Sequence, residues 1–345
     1  MAEQSLASFT TLRLGGPAQR FVEATTEQAL IDAVMNADRA GEKVLILAGG
    51  SNLVSSDEGF PGTVVHVRTT GMEADQDACS GAMVTVAAGM GWDAFVAHAI
   101  GQEWVGIEAL SGIPGTIGAT PIQNVGAYGQ EVAETIASVR CWDRVEGTLK
   151  TIAAADCGFG YRTSWFKQNP QRYVILTVTF QFRIGDLSAP VKYAELARTL
   201  GVEPGQRTQM TNVRETVLGL RRGKGMVLDP EDRDTWSAGS FFTNPFLAPD
   251  QVGLLPVEAP RWEQSDGSSK ASAAWLIEHS GFTKGYGNDL VGLSTKHTLA
   301  LTNRGGARTA DLIELAEEIQ RGVFEKFGIL LVNEPVLVGC ELLGP

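Results

Sequence analysis

An α+β fold is predicted for this chain of 345 residues. Three observations carry the prediction. Helical spacing alternates with short apolar strands over roughly the first 70 residues. The stretch from there to Phe182 is written mainly as strands. Beyond Arg183 amphipathic helices are separated by loops, so strands and helices segregate along the chain.

The elements follow in order. Ala24–Ala40 places Ala29, Leu30, Ala33, Val34 and Ala37 at helical spacing, with Thr25 or Thr26 positioned to cap it. Val44–Leu47 reads as a short apolar strand, and Thr63–Val67 and Val84–Ala88 as two more. Trp92–Ile100 is a short amphipathic helix. Ile136–Trp142 and Tyr173–Phe182 read as strands, the latter dominated by Val, Ile and Thr. Gly185–Pro190 is a turn, Tyr193–Leu200 a short helix and Thr208–Arg221 a longer one. Residues 228–270 read as loops with many aromatics. Ser268–Ser280 and Thr309–Phe327 read as helices, the second with a solvated face of Asp311, Glu314, Glu317 and Glu318. Ile329–Val338 closes the chain as a strand. A domain boundary is expected between about 185 and 213.

A chain of this length holds two or three subdomains with real cores. Its net charge of −12 argues against a nucleic-acid binder, which needs a basic face. An anionic small molecule is still admitted, because a cleft can oppose the global sign. Cys79, Cys141, Cys157 and Cys340 form no C-x-x-C pair and only four histidines accompany them, so no metal site is expected. Neither is a disulfide framework, which leaves reduced thiols and a cytoplasmic location. Met1–Thr10 lacks the basic start and apolar core of a signal peptide. No apolar run nears the roughly 18 residues that span a bilayer. No membrane partner is expected, and the chain is expected to work as a monomer.

Two glycine-rich segments point to a ligand. Ala48-Gly49-Gly50-Ser51-Asn52 follows the strand Val44–Leu47. Residues 111–131 carry Gly112, Gly115, Gly118, Gly126 and Gly129, stiffened by Pro114 and Pro121, with no lysine or arginine. Such segments let main chain approach a ligand closely. Two of them fit a long anionic cofactor held by peptide N–H groups. Neither has G-x-G-x-x-G spacing or the lysine of a P-loop. Further on come Gly160-Tyr161-Arg162, the basic knot Arg221-Arg222-Gly223-Lys224-Gly225, Gly239-Ser240-Phe241-Phe242-Thr243-Asn244-Pro245, and Glu334 in an apolar run. Each has an ordinary reading of its own: a surface arginine, a helix C-terminus that favours cations, a strand end, a buried salt bridge. No G-x-S-x-G surrounds Ser240, so a hydrolase nucleophile is not indicated.

Taken in order, these motifs resemble the UDP-N-acetylenolpyruvoylglucosamine reductases, flavoenzymes of peptidoglycan precursor synthesis. The resemblance opens at Thr11-Leu12-Arg13-Leu14-Gly15-Gly16-Pro17-Ala18 and extends to Glu334. It implies an FAD-binding region of the vanillyl-alcohol-oxidase type over 15–185, in two subdomains of about 1–70 and 71–213. A substrate domain would follow over 214–341, its last strand returning to the flavin site. FAD, held noncovalently, would lie on Gly49, Gly50, Ser51, Asn52 and Leu53, on Ile113, Pro114, Gly115, Thr116, Gly118 and Ala119, and on Gln123, Asn124, Gly126, Ala127 and Tyr128. NADPH would be the co-substrate. Arg162, Ser240 and Glu334 match the catalytic positions, and Val191–Leu196 resembles a capping loop with Tyr193 as its tyrosine. Arg221, Lys224 and Asn244, with Lys284 and His297, would meet the nucleotide sugar. The chain departs from the family at Ala48, Thr163, Gly225 and Asn333-Glu334-Pro335, where a glycine, an aspartate, Leu-Pro and Pro-Glu-Val are usual.

The chemistry so implied is hydride addition to an enolpyruvyl ether, followed by protonation of the neighbouring carbon. Arg162 and Glu334 would stabilise the charge and Ser240 would give the proton. Two other readings share parts of the pattern. An oxidase of 2-hydroxy acids on the same fold would need the FAD segments only. A nucleotide-sugar sensor would need none of Arg162, Ser240 and Glu334.

Overall fold

The computed structural model describes residues 4–344 apart from 78, 254 and 265. The chain divides into two compact units. One, the sheet unit, is Gln19–Gly49 with Pro61–Gly223. The other, the C-terminal unit, gathers Met1–Ala18, Gly50–Phe60 and Lys224–Pro345.

In the sheet unit, β1 (Pro17–Ala24) leads to α1 (Glu27–Arg39), β2 (Val44–Leu47) and β3 (Phe60–Val67). Their strand order is β1-β3-β2, with β2 parallel to β3. The Thr26 hydroxyl accepts from Ala29 N–H and so caps α1, whose Leu30, Ile31, Val34 and Ala37 are buried. A larger antiparallel sheet follows: β4 (Met72–Asp77), β5 (Gly81–Ala87), β6 (Ile136–Asp143), β7 (Thr148–Ala153) and β8 (Tyr173–Ile184), in the order β7-β6-β8-β5-β4. Central β8 buries Val178, Phe180 and Phe182. On these rests α2 (Trp92–Gly101), with the Phe95 and Phe180 rings 5.1 Å apart. Trp92 is fully buried and its Nε1–H donates to Leu110 O at 3.0 Å, which fixes the loop beyond α2. Helices α3 (Ala194–Leu200) and α4 (Met210–Gly223) complete this unit and pack through Leu196, Val213 and Val217.

The C-terminal unit is built on α5 (Ala273–His279) and α6 (Thr309–Phe327). Leu312, Leu315, Ala316, Ile319 and Val323 of α6 join Phe241, Phe242 and Leu331 in one core. Asp57 accepts from Thr309 N–H at 2.7 Å and Ala310 N–H at 3.0 Å, a carboxylate placed on the positive end of α6.

Three predicted stretches differ, the first being 228–270, read as loops, where Phe246–Leu247 and Arg261–Glu263 form strands by pairing with Ser269–Ala271. The helix expected over 268–280 is a strand, Ser269–Ala271, followed by α5, because the Ser272 hydroxyl accepts from Trp275 N–H and starts the helix there. The closing strand shortens to Val336–Val338, parallel to Leu53–Ser55. Pro335 has no N–H to give a ladder. The N–H of Glu334 donates to Phe241 O instead. Strands β4 and β7 were not anticipated, since their exposed residues hide the alternation.

Candidate active site

In the sheet unit, the glycine-rich segment crosses the end of β5 and the start of α2. Gly118 N–H donates to Ala88 O at 2.8 Å, Ile117 N–H to Met90 O at 2.9 Å, and Trp92 N–H to Gly115 O at 3.0 Å. Gly49 comes back against it: a Cβ on Gly49 would lie 2.7 Å from Gly115 Cα. Main chain therefore packs on main chain, which leaves peptide groups and not side chains at this place. Thr116 Oγ1 is buried with no hydrogen-bond partner among the described residues. Asn124 and Tyr128 hold left-handed backbone at φ 46° and 50°. Asn124 is tied down by Nδ2–H bonds to Glu131 at 2.8 Å and Gly160 O at 3.1 Å.

Arg162, in the turn 160–163, lies against the same segment. Its guanidinium donates to Gly126 O at 2.8 Å and its carbonyl accepts from Lys167 Nζ at 2.8 Å. Its own φ is 52°, a strained value for a residue with a side chain. The Tyr193 ring meets the Tyr128 ring edge-on at 5.5 Å, and Tyr193 is 45% exposed. Burial pushes the Arg221 guanidinium down, opposed by Tyr128 and Asp93. The structure thus brings Arg162, Tyr193 and Arg221 to residues 126–128 within one unit.

In the C-terminal unit, a Cβ on Gly50 would meet Phe9 O at 1.9 Å, so this loop too is backbone against backbone. Gly50 O accepts from Thr11 N–H, and Asn52 O accepts from Val336 N–H. Asn52 Nδ2–H reaches Glu334 O at 3.4 Å. Residues 241–243 run antiparallel to 332–334: Phe242 pairs with Asn333, Thr243 N–H donates to Val332 O, and Glu334 N–H to Phe241 O. Ser240 and Glu334 are thereby on neighbouring stretches of chain, and Ser51–Leu53 flank Glu334 on the other side. Glu334 is half-buried and precedes the strand; the buried strand position expected for it is not what the fold provides. The reason is again Pro335. Lys224 is half-buried, while Lys284 is exposed beside the turn at Gly285 and His297 is half-buried in the turn before Ala300. Asn244 Oδ1 accepts from Ala273 N–H at 3.0 Å at the start of α5, so its carbonyl has a structural task.

The residues fit FAD on the chemistry of the donors. In the sheet unit, glycine backbone held at contact and the orphaned Thr116 hydroxyl suit phosphate and flavin edges, and in the C-terminal unit the backbone-packed Gly50 and the polar Ser51 and Asn52 offer donors of the same kind. Two residues that sequence reasoning did not single out brace the glycine-rich segment from behind. Asp93 and Arg214 form a bidentate pair at 2.7 and 2.9 Å. Asp93 also accepts from Gly112 N–H at 2.6 Å. Burial works to raise the Asp93 pKa, but Arg214 and the Gly112 N–H outweigh it and hold the carboxyl below its usual range.

A family model described as UDP-N-acetylenolpyruvoylglucosamine reductase, C-terminal domain, matches residues 229–338. One described as FAD binding domain matches residues 18–153. The chain is 59% identical over 340 residues to the UDP-N-acetylenolpyruvoylglucosamine reductase of Cutibacterium acnes, covering 98% of this chain and 90% of the relative. It is 52% identical over 347 residues to the enzyme of that name from Thermobifida fusca, covering 98% and 97%. Among solved structures, UDP-N-acetylenolpyruvylglucosamine reductase from Thermus caldophilus matches with a TM-score of 0.66 at 24% identity, over 97% of this chain and 98% of that one. That last likeness is one of fold.

Proposed function

The chain belongs to the UDP-N-acetylenolpyruvoylglucosamine reductase family, and on that footing we propose that it reduces UDP-N-acetylglucosamine enolpyruvate to UDP-N-acetylmuramate for peptidoglycan synthesis, with FAD and NADPH. The observation that carries the reading is identity at this level over 98% of the chain, with Arg162, Ser240 and Glu334 all present. The 15–185 region is proposed to bind FAD and the 214–341 region the nucleotide sugar. A monomer in the cytoplasm is the proposed working form; no helix among the described residues is long and apolar enough to cross a membrane.

The chemistry that FAD would supply when bound is a hydride, taken from NADPH, for the β carbon of the enolpyruvyl group. Gly49, Gly115, Thr116 and Gly118, with Gly50, Ser51, Asn52 and Leu53, are proposed to hold it, and Ile113, Pro114, Ala119, Gln123, Asn124, Gly126, Ala127 and Tyr128 to line it. Hydride addition leaves negative charge on the α carbon that spreads into the substrate carboxylate. Arg162 is assigned to that charge, its fork already fixed by Gly126 O. Glu334 is assigned a hydrogen bond to the same carboxylate, made through a proton that it carries or shares with it. Ser240 gives its proton to the α carbon. A hydroxyl is a weak acid in water, but an enolate-like carbon is a strong base, and the two assigned stabilisers lower the barrier between them. Arg221, Lys224, Asn244, Lys284 and His297 are assigned to the nucleotide sugar, and Tyr193 caps it.

The test is a two-step experiment under anaerobic conditions. NADPH should bleach the yellow protein, and the enolpyruvyl nucleotide sugar should restore the colour. Ser240→Ala should leave the first step within about twofold and slow the second by about 10²–10⁴. Colour restored by oxygen alone, and not by the nucleotide sugar, would replace the reading with an oxidase. Second-step rates equal to wild type would remove Ser240 as the proton donor.

A further inference from the structure

One carboxylate in the sheet unit touches two elements with separate tasks. Asp93 lies in the first turn of α2. Its Oδ1 accepts from Gly112 N–H at 2.6 Å and from Arg214 at 2.7 Å; its Oδ2 accepts from Arg214 at 2.9 Å. Gly112 opens the glycine-rich segment and holds φ 74°, a left-handed turn that leaves its N–H aimed at the carboxylate. Arg214 belongs to α4, and so does Arg221. Seven residues are two turns, so both arginines project from one face of that helix. Arg221 is desolvated by burial, with Tyr128 and the Asp93 carboxylate near enough to oppose the shift. Tyr128 in turn carries the edge-on contact with Tyr193.

A surface ion pair would contribute little here. This pair is different in geometry. It is a two-pronged fork on a carboxylate, with the Arg214 side chain only 20% exposed and the Gly112 N–H as a third donor, shared on Oδ1. Such an arrangement fixes distance and angle between the parts that it joins.

We propose that Asp93 is a positioning residue that ties the Gly112 turn of the flavin cradle to the helix carrying Arg221, so that one carboxylate sets both the flavin loop and the arginine that meets the nucleotide sugar. The proposal rests on the assignment of those two sites under the proposed function. Arg214 transmits the helix half of the effect and the Gly112 N–H the loop half. The two halves can therefore be broken one at a time.

The experiment uses the full chain. Flavin affinity is read on the apoprotein by fluorescence quenching with FAD. KM and kcat are read for the enolpyruvyl nucleotide sugar with NADPH. Arg214→Gln frees the helix and leaves Asp93 with Gly112. It should raise KM about 5- to 20-fold, with kcat within about twofold and the FAD dissociation constant unchanged. Asp93→Ala removes both contacts and should raise KM and weaken FAD about 3- to 10-fold. Should Asp93→Ala not fold, Asp93→Asn keeps an acceptor for Gly112 and should copy Arg214→Gln. Arg214→Lys, which keeps the charge but not the fork, should restore KM in part. A merely structural role would lower stability or kcat in every variant and leave KM alone, and that result overturns the proposal. So does an Arg214→Gln variant that weakens FAD as much as Asp93→Ala. Wild type, measured first, separates the two failures. If it neither binds FAD nor turns over the nucleotide sugar, the function is wrong. If it does both and the variants keep its KM, the positioning role is wrong.

Discussion

Gly49→Ala is the substitution that most directly tests the flavin cradle. The added Cβ would stand 2.7 Å from Gly115 Cα and 3.2 Å from its carbonyl carbon. Ordinary contact begins at 3.4 Å, so the shortfall is 3.4 − 2.7, or 0.7 Å. The obstacle is backbone, which cannot rotate aside as a side-chain end can. Gly115 is itself held, with φ 122° and its carbonyl bonded to Trp92 N–H at 3.0 Å. One of the two loops must then shift. Overpacking of this kind costs about 1–3 kcal/mol. If the cost falls on the geometry that binds FAD, the dissociation constant rises about 5- to 150-fold. The assay is titration of apoprotein with FAD by fluorescence quenching, with a urea unfolding curve of the same apoprotein beside it. The expected outcome is weakened flavin binding in a folded protein. Gly219→Ala is the control, since a Cβ there meets nothing within 4 Å in mid-α4. Wild-type flavin affinity in folded Gly49→Ala would refute the reasoning, because the 49 and 115 loops would then not form the cradle.

Two further outcomes follow from single side chains. Tyr193→Phe keeps the edge-on contact with Tyr128 and loses only the hydroxyl; KM for the nucleotide sugar should rise about tenfold, with reduction by NADPH unchanged in stopped flow. Asp143 is fully buried, takes Arg172 and Lys150 at 2.8 and 2.9 Å, and is held well below the usual carboxylate range by Arg172, against burial, with further help from Lys150 and two backbone N–H groups. A depressed folded pKa contributes stability above the unfolded value near 4 and loses it as pH falls below that. Asp143→Asn should therefore lower the urea midpoint at pH 7, by roughly 1–3 kcal/mol in free energy, and flatten its decline below pH 4. An unchanged acid limb would show that the network adds nothing to stability.

The legible parts of this chain are those whose signal is local. Thr26, the apolar spacing behind it and the bounds of α6 could be read because a helix writes its cap and its face within a few residues. Strands β4 and β7 could not, because an exposed edge strand lacks alternation. The discontinuous units were not legible either. The break between Gly49 and Gly50 falls inside one glycine run, and nothing in that run says that Gly49 packs on Gly115 and Gly50 on Phe9.

The candidate site divides along the same line. Its glycines announce themselves, since each meets a demand of the backbone that few residue types satisfy: close approach at Gly49, a left-handed turn at Gly112; Arg162 is picked out only by the family resemblance. Asp93 and Arg214 make no such demand. They are 121 positions apart, and each alone looks like a charge on the wet side of a helix. Their meaning lies in the fork that they make across that separation and in the Gly112 N–H that shares it. Residues that would touch the ligand were therefore open to motif reading, whereas residues that hold those in place became visible only through three-dimensional contact. That asymmetry has a physical cause. Ligand chemistry restricts residue type at a position, while positioning restricts only geometry, which any suitable carboxylate and guanidinium can satisfy.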